Sequence, residues 1–344
     1  MWRGPRHPYL TVRVTAVLAV AAAVLSAAPG PAAAASPAFA PVDRPGPALS
    51  VPTAKLEAAL ACTSNVARGR QTALFVPGTT VNPREDYAWN WFRALDKLGR
   101  PYCAVTLPAN TTGDTQVASE YVVHAIRSIH ARTKAKVQVI GHSQGGTEPR
   151  FALRFWPDLR AKVDDYIAFA ATNHGSSLIR GLCAPSCSPA LWQQIDNSDY
   201  IQAMNSYQET FAGISYTQIY THFDQFVQPN LDDTGTTSLS GPGDIANVAT
   251  QDVCPANTAE HIAVGTYDPV AYALAMDALT HPGPADPARL ADSVCQEVLM
   301  PGVDPRTFLA NLADAYNQIF ISLITDPRVD AEPELKPYTQ AGSS

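Results

Sequence analysis

The 344-residue sequence predicts a single α/β domain, a mainly parallel sheet flanked by helices. From Thr53 onward, short strand-like runs alternate with amphipathic helical runs, the order that winds strands parallel and places helices on the sheet. Thr72 to Val76 is an apolar run that stops at Pro77-Gly78, so a buried strand meets a turn there. Hydrophobic residues make up 46% and charged residues only 16% of the chain, enough for one large core and unlike a disordered protein.

Taken in order, Asp86 to Leu98 is helical in pattern, with Gly99 placed to end it. Tyr102 to Leu107 reads as the next strand. Asp114 is positioned to cap a helix from Thr115 to Arg132, where Val117, Tyr121, Ala125 and Ile129 share a face. Val137 to Ile140 is a strand, and the helix beyond Gly146 runs to about Phe155, stopped by Pro157. Tyr166 to Ala171 and Ile214 to Thr221 are two further strands. Asp304-Pro305 opens a long helix with Phe308, Leu312, Tyr316, Ile319 and Leu323 on one side.

Residues 1–40 read as an export leader outside this domain. Arg3, Arg6 and Arg13 precede the apolar run Val14 to Leu25, and small residues near Ala35 or Ala40 supply a cleavage site. The run is too short to span a bilayer, and Arg13 has no arginine neighbour, which favours the general secretory route. Residues 41–52 read as a Pro/Ala-rich linker or N-terminal arm, and residues 53–344 as the catalytic domain. Removing the leader takes the basic count from 24 to 21 against 31 acidic residues, moving the net charge from −7 to −10. With no clustered Lys and Arg, that balance excludes a nucleic-acid surface. In an oxidising compartment six cysteines imply three disulfides, with all 15 pairings open, and no Cys-x-x-Cys spacing points to metal.

The strongest chemical signal is Gly141-x-Ser143-x-Gly145 between a strand and a helix. Such a turn lifts a hydroxyl clear of the backbone, and the helix behind it aims free amides at the site. This context predicts the α/β-hydrolase fold with Ser143 as nucleophile. In that fold the acid and then the base follow the serine in sequence. Asp224 lies just past a strand end and is the leading acid, with Asp232, Asp233 and Asp252 as rivals. His174 comes too early, and His222 sits too close to Asp224. His261 is the leading base and His281 its runner-up. For the oxyanion, the donors are the Gln144 amide and Thr79 in the Pro77-Gly78-Thr79-Thr80 turn.

At these residues the chain resembles the Candida antarctica lipase B family of secreted α/β-hydrolase lipases. The resemblance runs from about Val51 to Cys295. It rests on Phe75-Val76-Pro77-Gly78-Thr79, Asp114-Thr115-Gln116-Val117, Ser143-Gln144-Gly145-Gly146, Trp192-Gln193-Gln194, Asp224 to Pro229 and the approach to His261. The resemblance implies a triad of Ser143, Asp224 and His261, and an oxyanion hole of Thr79, by amide or hydroxyl, and Gln144. It implies the disulfides Cys62–Cys103 and Cys254–Cys295, leaving Cys183 and Cys187 to pair locally. His142 departs from the family's bulky tryptophan before the serine, Thr172-Asn173-His174-Gly175 replaces a carboxylate, and the family's C-terminal disulfide is missing. The helix near Asp304 is a candidate pocket cover, with plain core packing as its alternative. Trp192 and the 183–187 segment are candidates for a rim or lid, with loop packing as the equal alternative.

The function these features imply is a secreted serine carboxylic-ester hydrolase, a lipase acting on acylglycerols or related esters. It needs no cofactor and no metal, binds an ester or lipid substrate, carries no transmembrane anchor after leader removal and is expected to be a monomer. An imidazole base implies activity that falls on the acid side of neutrality. The alternatives are an extracellular acyltransferase or transesterase with the same triad, and a non-catalytic binding protein on the same scaffold.

Overall fold

In the computed structural model, which describes residues 39–342, seven strands form one sheet in the order β1-β3-β2-β4-β5-β6-β7. They are β1 (Leu60–Cys62), β2 (Thr72–Val76), β3 (Tyr102–Val105), β4 (Val137–His142), β5 (Val163–Phe169), β6 (Ser215–Tyr220) and β7 (Asp244–Ala249). Only β1 is antiparallel to its neighbour. Helices flank and connect the strands: α1 (Thr53–Ala58), α2 (Pro83–Tyr87), α3 (Trp91–Lys97), α4 (Thr115–Thr133), α5 (Thr147–Phe155), α6 (Ser177–Leu182) and α7 (Pro189–Gln193). They continue as α8 (Asp199–Met204), α9 (Thr250–Val253), α10 (His261–Thr266), α11 (Pro269–Thr280) and α12 (Phe308–Thr325).

The central strands are apolar on both faces because both are covered. Leu74, Val76, Val139, Tyr166 and Ala168 pack against Val122, Ile126, Phe151 and Phe155 from α4 and α5. Their alternates Ala73, Phe75, Ile140, Ile167 and Phe169 pack against Trp91, Leu95, Leu274 and Ala278 from α3 and α11. The period of two along each strand thus makes two cores, one per face.

The sequence expectations differ from this in instructive places. The helix read across Asp86 to Leu98 is two helices, broken where the Asn90 side chain caps α3. Asp114 does cap α4 by accepting from the Gln116 amide at 2.9 Å, and Lys134 ends it in the left-handed region at φ 58°. The last helix starts at Phe308, not at Asp304-Pro305, because Asp304 turns back onto the Arg306 amide at 3.0 Å. The leader lies outside the described residues as far as residue 38. Residues 41–52 are an arm packed on the domain, not a free linker. The Pro47 carbonyl accepts from Trp156 Nε1 at 2.9 Å, and the Ser50 hydroxyl donates to Glu120 at 2.7 Å. Ahead of it, Ala40 is buried and its amide donates to the Thr339 carbonyl at 2.8 Å.

Disulfides join Cys62 to Cys103, Cys183 to Cys187 and Cys254 to Cys295. The first ties β1 to β3 at a directly paired position. Within α5, Glu148 is a fully buried carboxyl whose Oε1 accepts from Gln144 Nε2 at 2.6 Å, while among the described residues Oε2 finds no side-chain or main-chain partner within hydrogen-bond distance. Burial pushes this carboxyl up to about 8, against the pull of the Gln144 hydrogen bond.

Two stability predictions follow from these groups. Replacing Cys254 and Cys295 by serine opens a loop with a sequence separation of 41. It should lower the unfolding free energy in urea by about 4 kcal/mol on the chain-entropy model; a loss under about 1 kcal/mol contradicts it. Glu148 keeps its proton in the folded protein and loses it on unfolding between its ordinary value of 4.5 and about 8. Raising pH through that window therefore favours the unfolded chain, by up to about 1.4 kcal/mol per pH unit. Glu148→Gln should flatten the fall in stability between pH 5.5 and 7.5, and equal slopes in the two proteins rule this out.

Candidate active site

β4 ends at His142, and the chain turns at once through Ser143–Gly146 into α5. Ser143 sits at φ 55°, a left-handed conformation that costs a side-chain-bearing residue roughly 1–3 kcal/mol. The glycines beside it are required by space. A Cβ on Gly141 would overlap the Gly145 carbonyl, and one on Gly145 would overlap the Val76 carbonyl at the end of β2. Ser143 remains 8% exposed at the floor of a cavity that His261 also lines.

Asp224 lies in the loop after β6. Its Oδ1 accepts from the amides of Phe226 at 2.9 Å and Val227 at 2.7 Å, which fixes the carboxylate. Its Oδ2 meets His261 Nδ1 at 2.9 Å. His261 opens α10, where Glu260 caps the helix by accepting from Ile262 and Ala263. Phe226 packs edge-on against the imidazole at 5.4 Å. A ring whose Nδ1 faces a carboxylate carries its proton there, which leaves Nε2 able to accept another.

The other candidates lie elsewhere. His281 pairs with Asp277 at 3.0 Å, half-exposed past the end of α11. His174 pairs with Glu209 at 2.8 Å. The main-chain amide of His222 donates to Gln251, and its ring lies beside Tyr220. Asp232 bonds Thr234 in an exposed turn, Asp233 is exposed beside it, and Asp252 accepts from the Ala249 amide at the start of α9.

Thr79 and Gln144 are joined by their side chains. The Thr79 hydroxyl donates to Gln144 Oε1 at 2.7 Å, and Gln194 Nε2 donates to Gln144 Oε1 at 2.8 Å and to Thr79 Oγ1 at 3.0 Å. Of the two donors the sequence offers at Thr79, the hydroxyl is thus engaged with Gln144. Thr172 donates to Gln194 Oε1 at 3.0 Å, so a hydroxyl completes this network where the resemblance implies a carboxylate.

One feature escapes sequence reasoning. His142, next to the nucleophile, is buried against Asp86 from α2, with Nδ1 and Oδ1 2.9 Å apart. Burial pulls its pKa down, but the Asp86 charge and hydrogen bond, the His261 carbonyl and Asp224 together leave it raised. The one signal in the sequence is a histidine before the serine; its partner stands 56 residues away on another element.

The cavity walls are apolar. Leu178, Ile179 and Leu182 of α6 face Ala315, Ile319 and Leu323 of α12 across it. Of the α12 stripe, Ile319 and Leu323 line the cavity, while Phe308 packs against Trp89 and Tyr267. Trp192 does not line the cavity; it packs with Ile179 and the Cys183–Cys187 bridge and donates to the Val329 carbonyl at 2.9 Å. Among the described residues, no group of three His, Cys, Asp or Glu is arranged to hold a metal, and no helix is long and apolar enough to cross a membrane.

The comparisons with known proteins agree with this architecture. A model of the lipase (class 2) family matches residues 114–261. The chain is 29% identical over 302 residues to lipase B of Pseudozyma antarctica, covering 86% of each chain. It superposes on the crystal structure of Aspergillus fumigatus lipase B with a TM-score of 0.78 and 32% identity, covering 90% of this chain and 78% of that one. A seven-stranded α/β-hydrolase sheet with that likeness along its length identifies the chain as a member of the lipase B family and a carboxylic-ester hydrolase.

Proposed function

We propose that the protein is a secreted lipase that hydrolyses acylglycerols or related esters with Ser143 as nucleophile, His261 as base and Asp224 as orienting acid. The observation that carries this reading is the 2.9 Å contact between Asp224 Oδ2 and His261 Nδ1 beside an apolar cavity that Ser143 also lines. His261 Nε2 takes the Ser143 proton as Oγ attacks the ester carbonyl, and Asp224 stabilises the imidazolium that forms. The amides of Gln144 and Thr79 receive the oxyanion, and the N-terminus of α5 adds its dipole. The alcohol leaves with the proton from His261. Water, activated by the same imidazole, then attacks the acyl-enzyme and frees the acid. Walls from α6 and α12 suit an acyl chain, since apolar contact favours chains with more methylenes by about 0.8 kcal/mol each. The apolar leader and the disulfides support export, because such bonds persist in oxidising compartments.

The test is the initial hydrolysis rate across p-nitrophenyl esters from acetate to palmitate. Ser143→Ala should lower kcat by on the order of 10⁶ if the triad acts as a unit, with the parent protein active on long chains. Activity confined to short chains contradicts the lipase assignment, and a Ser143→Ala protein that still turns over contradicts the triad.

A further inference from the structure

A second His–Asp pair lies against the proposed triad, and no step above uses it. The two oxygens of Asp86 reach different parts of the site. Oδ2 accepts from the Gly78 amide at 2.8 Å, in the turn that carries Thr79. Oδ1 meets His142 Nδ1 at 2.9 Å, and the other ring nitrogen, Nε2, lies 3.1 Å from the main-chain carbonyl of His261. A carbonyl can only accept, and so can an ionised carboxylate. Both contacts are made together only when His142 carries a proton on each nitrogen. The ring's place is built for it. A Cβ on Gly265 of α10 would overlap the imidazole, and Trp91 Nε1 holds the Gly265 carbonyl at 3.0 Å.

We propose that His142 and Asp86 are positioning residues, an imidazolium–carboxylate pair that ties the nucleophile strand, the Gly78–Thr79 turn and the start of α10 into one unit. This rests on the triad reading above, because it gives those three pieces their importance. In this role the pair acts through the Gly78 amide and the His261 backbone, not on the substrate. Its charge balances internally: one proton on each ring nitrogen, one negative charge on Asp86. The charged and titratable groups facing His142 are Asp86 from α2, Asp224 from the loop after β6 and the His261 ring at 5.1 Å, with Glu85 lining the same cavity. Burial opposes the charged ring, but Asp86 by charge and hydrogen bond, the His261 carbonyl and Asp224 together outweigh it. Above the pH at which His142 loses its proton, one of the two tethers is lost. Catalysis then falls on the alkaline side while substrate binding holds.

The experiment is ¹⁵N NMR of the unmodified protein labelled on histidine, with His142→Gln for assignment. At pH 6.5, where an ordinary imidazole is half deprotonated, the His142 signals should report two protonated nitrogens; a nitrogen without a proton at that pH overturns the proposal. Kinetics on p-nitrophenyl butyrate give the second readout. Asp86→Asn and His142→Gln should each lower kcat about tenfold to a hundredfold, the scale of a small misplacement at a reacting centre. KM should change less than twofold, and the double variant should lose no more than the worse single one. The alkaline fall in kcat should vanish in His142→Gln. Losses that multiply in the double variant, or fall on KM, overturn the pairing. Failure of the triad reading looks different: Ser143→Ala would stay active while the His142 spectrum remained as expected.

Discussion

The turn after β4 runs so close to the end of β2 that no side chain fits between them. A Cβ on Gly145 would overlap the Val76 and Pro77 carbonyls, and one on Gly141 would overlap the Gly145 carbonyl. From that crowding the rest of the site follows. It holds Ser143 in the left-handed region, lifted above the strand ends and at the mouth of α5. The parallel pairing of Val76 with Gly141 then sets the Gly78–Thr79 turn beside the serine. A Cβ on Gly78 would come 3.4 Å from Ser143 Cβ, which measures how near the two loops lie. The donors proposed for the oxyanion are thus placed by strand register, not by the loops alone.

This dependence explains what could be read from the sequence. The buried strands and α4 announce themselves by apolar runs and a capping Asp114, since their energetics are local and repetitive. The serine turn is legible because its glycines answer a steric demand. The edges are harder. β1 is three residues with little burial, and β7 carries a half-buried first turn of Asp244 to Asn247, so neither has the apolar run that marks a central strand. The break between α2 and α3 hides inside a helical period because one capping side chain, Asn90, decides it. The His142–Asp86 contact is a tertiary fact, and no spacing rule could join two residues on different elements.

The helix α12 shows why a period alone could not separate pocket cover from core. Its apolar residues are divided between two surroundings. Ala315, Ile319 and Leu323 line the cavity, while Leu309, Phe320 and Ile324 are well exposed. The helix is held by Phe308 packed on Trp89 and Tyr267 and by polar ties along its length. Tyr316 donates to Glu260, the residue that caps α10 ahead of His261, and Thr112 donates to Asp326 at the far end at 2.9 Å. One hydrogen bond thereby links the cavity's cover to the element that carries the proposed base.

Asp224, Asp86 and Glu148 are buried acids near Ser143, and their donor sets differ. Asp224 receives two amides and faces an imidazole; Asp86 receives one amide and faces an imidazole. Glu148 accepts from the Gln144 side chain at 2.6 Å, and burial outweighs its hydrogen bonds and pushes it up to about 8. The location of that neutral acid matters. It stands directly behind Gln144, whose amide is proposed to meet the oxyanion, so a negative charge there would oppose the charge that develops during attack. Burying Glu148 removes that opposition at neutral pH while keeping the hydrogen bond that orients the Gln144 side chain toward Thr79.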